Sequence, residues 1–267
     1  MVPRLYIDNT LVPVKDLTTY LGDQFNSKGT NTDLVVERVK KGKACIVNSM
    51  ALCSDTTMGI HAIETLLLLY NCLLLAVILY NAQAWSNLTT TDLLLLQRVQ
   101  LKFIKRMLHA PSSTSTPLTY LETGILTIEF EINVKQLCFL HHILTLPTED
   151  PVHHLYQQQL MYQAQNWGNE IAHLRKKYDL QETDDEIALL SKEEWKKLVK
   201  RKVRKYAFEK LCKEAENQKN FSNLPAYKDL IKQEYIAKLT PKKARKLFHL
   251  RTQTIDLKGV RKYNTIW

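Results

Sequence analysis

Asp184-Asp185 is an adjacent carboxylate pair of the kind that can hold Mg²⁺ for phosphoryl or nucleotidyl transfer. Such a pair needs rigid apolar strands on both sides. Here the flanks are Gln181, Glu182, Thr183 and Glu186, which read as a solvated acidic linker. His141-His142 and His153-His154 suggest metal ligands at first sight. Neighbours on a helix point about 100° apart, and no Cys or acidic residue stands at ligand spacing, so no zinc site is expected. The phosphate-cradling and nucleophile-elbow signatures are absent, and no nucleophile–base pair can be argued from spacing. The sequence predicts no catalytic residue, no metal ligand and no cofactor for this chain.

The remaining chemistry is that of cations. Lys196, Lys197, Lys200, Arg201, Arg204 and Lys205 fall on consecutive turns of one helix, and 196–205 contains no acid. A row of this kind can follow a phosphate backbone. A second group, Lys242, Lys243, Arg245, Lys246 and Arg251, lies near the C-terminus. The net charge of +10 has an uneven source. Residues 1–150 hold 12 basic and 13 acidic side chains, whereas 151–267 hold 25 and 14, so the whole excess is in the second half. The expected partner is RNA or DNA.

The elements that must position these groups are mainly helical. Gly and Pro number only 7 and 8, which disfavours a β design with many tight turns. Residues 4–25 carry the β signal, with Asp8-Asn9 as a hairpin turn. A helix is predicted after Asn31 or Thr32. Thr90-Thr91-Asp92 caps another, which Pro111 ends, and a short one runs from Pro117 to Gly124. A Phe- and Leu-rich helix fills 126–146 and stops at Pro147. Helices at 151–166 and 169–178 are separated at Gly168. Ser191-x-x-Glu194 is a capping box for a helix reaching about Asn217, with Trp195, Leu198, Val199, Val203, Tyr206 and Leu211 as its seam. Thr240-Pro241 starts the last helix.

The bundle is expected to form around Leu66–Tyr80, an apolar run interrupted only by Asn71. A helix apolar on every face must be covered on every side. The run is short of the roughly 20 residues that span a bilayer, and no Lys or Arg flanks it closely. A buried central helix is therefore favoured over a membrane span. The fold class expected is a helical bundle around this helix, with a small N-terminal β hairpin and a basic helical C-terminal tail. Its segments are 1–30, 31–147 and 151–267, with a boundary at Pro147–Pro151. Five cysteines without a CxxC pair read as reduced thiols of an intracellular protein, nuclear or cytoplasmic.

The order of segments resembles the part of a LINE-type non-LTR retrotransposon reverse transcriptase that follows the catalytic palm. Thr19-Tyr20-Leu21-Gly22 is similar to the primer-grip triplet, with Phe25 and Ser27-Lys28-Gly29 following. The helix bearing Glu37, Arg38, Lys41 and Ala44 resembles the first thumb helix. Leu79-Tyr80-Asn81-Ala82-Gln83-Ala84-Trp85, Leu121-Glu122-Thr123-Gly124 and the stretch from Ala244-Arg245 to Lys258-Gly259 resemble later elements in the same order. Asn81, Gln83 and Asp23 depart from the pattern. The resemblance implies a fragment of an RNA-directed DNA polymerase without its palm, with any Mg²⁺ belonging to that palm. It implies primer-grip-like roles for Tyr20, Leu21 and Gly22, and nucleic-acid contacts for Arg38 and Lys41. Two other readings follow from the residues alone. One is a non-catalytic helical scaffold pairing with a partner helix through Trp195, Leu198 and Tyr206. The other is a single-pass membrane protein spanning 62–85.

Overall fold

A computed structural model describes residues 6–7, 10–11, 15–20, 22–27, 29–53, 61–162, 166–218 and 227–254. Two short antiparallel hairpins open the chain. β1 (Tyr6–Ile7) pairs with β2 (Thr10–Leu11), and β3 (Leu17–Tyr20) pairs with β4 (Asp23–Asn26). Asp8-Asn9 and Leu21 lie outside the described residues. Gly22 has φ +83, the left-handed turn geometry that glycine adopts without strain.

Eleven helices follow among the described residues. They are α1 (Thr32–Leu52), α2 (Ala62–Leu69, continuing through Tyr70–Leu75 to Ala76–Ile78), α3 (Thr90–Met107), α4 (Thr116–Thr123), α5 (Ile128–Leu144), α6 (Pro151–Met161), α7 (Trp167–Lys177), α8 (Asp184–Leu189), α9 (Lys192–Glu216), α10 (Glu234–Lys238) and α11 (Pro241–Arg251). The chain is mainly α, as expected. Capping boxes start α3 (Thr89 with Asp92), α8 (Thr183 with Glu186) and α9 (Ser191 with Glu194), each satisfying two orphan backbone donors.

Among the described residues α2, the helix of the apolar run, is covered on one side only. Ala62, Leu66, Tyr70, Leu74 and Ile78 are buried, all at a spacing of four. Four residues of an α-helix overshoot one turn by about 40°, so a strict row of four would wander around the axis. The turn Tyr70–Leu75 is π-helical and wider, which takes back this drift and keeps the row on the core. On the far side Leu68, Cys72 and Ala76 are exposed, Leu68 by 60%, and Tyr80, in the turn after the helix, is 48% exposed. Asn71 is also exposed and donates to Leu67 O at 2.9 Å. The expectation of cover on every side is therefore corrected. Among the described residues no helix is long and apolar enough to cross a membrane.

α1 packs on α2 and α3 through Gly42, where a Cβ would lie 2.6 Å from Ile78 Cγ2 and 3.0 Å from Val99 Cγ1. Gln100 joins four elements. Its Nε2 donates to Tyr70 Oη and Leu126 O, both at 2.7 Å, and its Oε1 accepts from Tyr120 Oη (2.6 Å) and Ile128 N (3.1 Å). A buried amide with all its partners fixes how these helices meet.

Several boundaries move. α3 ends at Met107 rather than Pro111, because His109 turns the backbone to φ +51. Gly168 lies inside α7, α6 ends at Met161, and the Asn166 side chain caps the start of α7 by accepting from Asn169 N. The acidic stretch at 181–186 starts a helix, since carboxylates suit a helix N-terminus. Residues on either side of Pro147–Pro151 share one core. α9 packs on α4 and α5, and Trp195 Nε1 donates to Leu137 O at 2.7 Å.

Candidate nucleic-acid interface

The basic residues of α9 separate into two rows once the seam is fixed. Trp195, Val199, Val203, Ala207, Leu211 and Ala215 are buried, with Leu198 and Tyr206 partly so. Because this face rests on α5 and α4, Trp195 and its neighbours are not free to take a partner helix. Lys197, Arg201 and Lys205 are exposed and recur every fourth residue on the outward side. A step of four residues is about 6 Å along the axis, so three ammonium or guanidinium groups project along roughly 12 Å of helix.

The second row, Lys196, Lys200 and Arg204, borders α5. Lys200 is exposed, while Lys196 is partly buried and pairs with Glu193 at 3.5 Å. Arg204 turns inward. Its Nη2 donates to Gly124 O and Leu230 O, both at 2.8 Å, tying the end of α4 to the segment before α10. Gly124 has φ +65, and a Cβ there would stand 2.2 Å from Lys232 N, so only glycine permits this approach. Arg204 is thereby engaged within the protein.

Arg38, Arg245 and Arg251 are engaged within the protein as well. Arg38 is buried, ion-pairs with Asp23, donates to Gly22 O at 3.1 Å and lies 4.7 Å from the Tyr80 ring centre. Asn81 Nδ2 donates to the other Asp23 oxygen at 2.7 Å. The three positions that depart from the resembled pattern thus meet beside Arg38, since Gln83 Nε2 donates to Asn81 Oδ1 at 3.1 Å. Arg245 Nε donates to Met107 O at 3.0 Å. Arg251 Nε lies 2.7 and 2.9 Å from the oxygens of Glu122, a fully buried carboxylate that also accepts from Tyr227 and Tyr235. Burial, with Glu122 beside them, holds both phenols well above their ordinary pKa.

Lys41 is exposed on α1 and 3.5 Å from Glu37. Lys242, Lys243 and Lys246 are exposed on α11, and Tyr20 is exposed on β3. The structure brings Arg38 beside Gly22 but groups neither with the α9 rows.

Sequence reasoning missed Lys135 and Glu131 on α5. Lys135 is exposed and, with Lys200 and Arg204, surrounds the partly buried Glu131 electrostatically. Burial pushes the Glu131 carboxyl above its ordinary range against the pull of these three cations. Its neighbour Glu129 goes the other way. Burial raises it, but Lys177 at 2.7 Å and Lys210 at 3.2 Å more than offset that, leaving it below the usual value. A lysine inside the Phe- and Leu-rich stretch was the available signal, since a charge there marks the open side of the helix.

The other candidates for chemistry are held locally. Asp184 pairs with Arg175 at 2.6 Å. A His141 ring nitrogen lies 2.8 Å from Leu190 O, and one of His153 lies 3.3 Å from Leu146 O. Among the described residues no three His, Cys, Asp or Glu side chains come together as a metal-holding group.

No family model matches the chain, and no curated protein or solved structure matches it. The interface is therefore read from its own geometry. Exposed cations on two adjacent helices can neutralise phosphates. The aromatic rings of the region are turned inward: Tyr206 packs edge-on against Phe130 and Tyr178, and Trp195 is fully buried. Such a surface offers charge without a stacking platform.

Proposed function

We propose that this chain is a nucleic-acid-binding segment that contacts phosphates through the outward face of α9 and the adjoining edge of α5, with little preference for base sequence. The observation that carries the reading is the exposed, acid-free row Lys197, Arg201 and Lys205, with Lys200 and Lys135 beside it. The ordered resemblance to the region that follows the palm of LINE-type reverse transcriptases supports the same reading. On that reading, catalysis and its metal belong to a palm outside this chain.

Counterion release gives the test. About four to six phosphate contacts correspond to a log–log slope of affinity against salt of roughly −4 to −5 on duplex. Filter binding of duplex, hybrid and single strands over a salt series measures it. The variant Lys197→Glu/Lys200→Glu/Arg201→Glu, which leaves Arg204 in its structural role, should weaken all three alike and flatten the slope. No binding at low salt, or a triple variant equal to the parent, overturns the proposal.

A further inference from the structure

α11 carries a second cationic face, separate from that of α9. Lys242, Lys243 and Lys246 are exposed, while Ala244, Arg245 and Phe248 of the same helix are buried. Successive residues turn about 100°, so Lys246 falls between Lys242 and Lys243 around the axis, about one turn further along. The three ammonium groups therefore share one arc of about 100°, on the side away from Ala244 and Phe248. Residues 235–255 contain no Asp or Glu. Lys238 is paired with Glu234 at 2.8 Å, and Arg245 and Arg251 are held within the protein, so the face is counted as the three lysines. Where acids are mixed in, a lysine face is ordinary solvated surface, as on α1, where Lys41 stands 3.5 Å from Glu37. On α11 no acid is mixed in.

Four contacts fix where this face lies. Arg204 of α9 meets Gly124 at the end of α4, and Trp195, further back on α9, meets Leu137 of α5. The row Lys205, Arg201, Lys197 thus leads from Gly124 along α5 towards Leu137. Arg251 of α11 meets Glu122 of α4, and Arg245 meets Met107 at the end of α3. Lys242, Lys243 and Lys246 thus lie towards the Met107 end of α11. Both rows start near one end of α4 and run off along different helices, so they do not form one track. We propose, on the basis of the α9 interface above, that the lysine face of α11 is a second phosphate-binding surface, so that one chain holds two separate nucleic-acid segments, one on α9 and one on α11. Charge selects the occupant. A face of ammonium groups without acids suits a phosphate backbone and reads no bases. Two polyanions held on one chain repel each other, which the net charge of +10 offsets and salt screens.

Two pools of one short duplex, one carrying a donor fluorophore and the other an acceptor, are mixed at low salt with duplex in excess over chain. The intact chain should bring donor and acceptor together, giving energy transfer, and sedimentation should find two duplexes per chain. Lys242→Glu/Lys243→Glu/Lys246→Glu should abolish the transfer and leave one duplex per chain, still bound through α9. Lys197→Glu/Lys200→Glu/Arg201→Glu should also abolish the transfer. The binding that remains to it, on three lysines, should fall with salt at a log–log slope of roughly −2.7. All six substituted positions are exposed, and far-UV circular dichroism shows that each variant keeps its helices. An intact chain that binds duplex without transfer overturns the second surface, and so does transfer unchanged in the α11 variant. If α9 is not an interface the pattern differs: the intact chain holds one duplex, the α9 variant binds as the parent does and the α11 variant binds none, which overturns both readings. An α11 variant that keeps the transfer but loses binding to phosphatidylserine vesicles gives the face to lipid instead.

Discussion

Glu129 and Glu131 stand two residues apart on one helix, yet the protein treats them in opposite ways. Glu129 is held below its ordinary pKa by two lysines, so its ionised form is better placed in the fold than in the unfolded chain. That contribution is present above the ordinary glutamate range and is lost as pH falls through the lower folded value. Glu131 is held above its ordinary value, chiefly by burial. Its ionised form costs stability, and the cost appears as pH rises through the folded value. Replacing Glu131 with Gln should therefore raise the melting temperature at neutral pH, by an amount that shrinks as pH is lowered below the glutamate range. Thermal melts of the two proteins at pH 4 and pH 7 would measure this, and equal shifts at both would contradict it. The same change removes a negative charge from among Lys135, Lys200 and Arg204. On the proposed function it should also tighten oligonucleotide binding. At Asp184-Asp185 the opposite argument holds. Asp184 is spent on Arg175 and on the start of α8, so primer-extension assays with Mg²⁺ or Mn²⁺ should give no product. Extension abolished by Asp184→Asn/Asp185→Asn would reverse this assignment.

At the scale of elements, α2 shows what periodicity can and cannot say. Its apolar run marks a helix but no face, because every face is apolar. The face is chosen by neighbours: Gly42 of α1 admits Ile78, and Gln100 of α3 engages the Tyr70 hydroxyl. These contacts are long-range and leave no local signal. Leu74 is at the centre of the buried row with no exposed surface. Leu74→Ala should cost about 2–5 kcal/mol, and Leu74→Asp, which buries an unpaired carboxylate, should prevent folding. Leu68→Ala on the exposed side should change stability little in the same urea titration. Comparable losses at 68 and 74 would mean that the helix is covered on both sides. Some helix ends were legible nearly to the residue, as at Ser191, Pro117-to-Gly124 and Pro241, because a cap or a helix-starting proline is written in three or four adjacent residues, whereas the cap of α3 falls on Thr89, one residue before the expected Thr90-Thr91-Asp92. The cationic site was only half legible. Spacing grouped six cations of α9 together, of which Lys197, Arg201 and Lys205 share the outward face. It could not show that Arg38, Arg204, Arg245 and Arg251 find carbonyl or carboxylate partners far away in sequence.

The whole molecule is held together by contacts that cross the Pro147–Pro151 composition change. Trp195 fills the space above Leu137, Arg204 joins Gly124 to Leu230, and Arg251 closes on Glu122. The last of these fastens the chain's final described helix to α4. Glu122 has no exposed surface and accepts from two tyrosine hydroxyls as well as the guanidinium, and among the described residues Arg251 is the cation paired with it. Arg251→Ala leaves that carboxylate buried and unpaired. Removing one partner of a buried pair commonly costs about 3–5 kcal/mol, and the guanidinium, partly exposed here, should put this case at or below the lower end. Glu122→Gln removes the charge but keeps the shape and an acceptor for the hydroxyls. Combined with Arg251→Ala it should restore part of what the single change lost, because no uncompensated charge remains. Urea unfolding of the parent, both single variants and the double variant closes the cycle. A double variant less stable than Arg251→Ala alone would show that α11 is held by packing of Phe248 and Ala244, with the ion pair incidental to it.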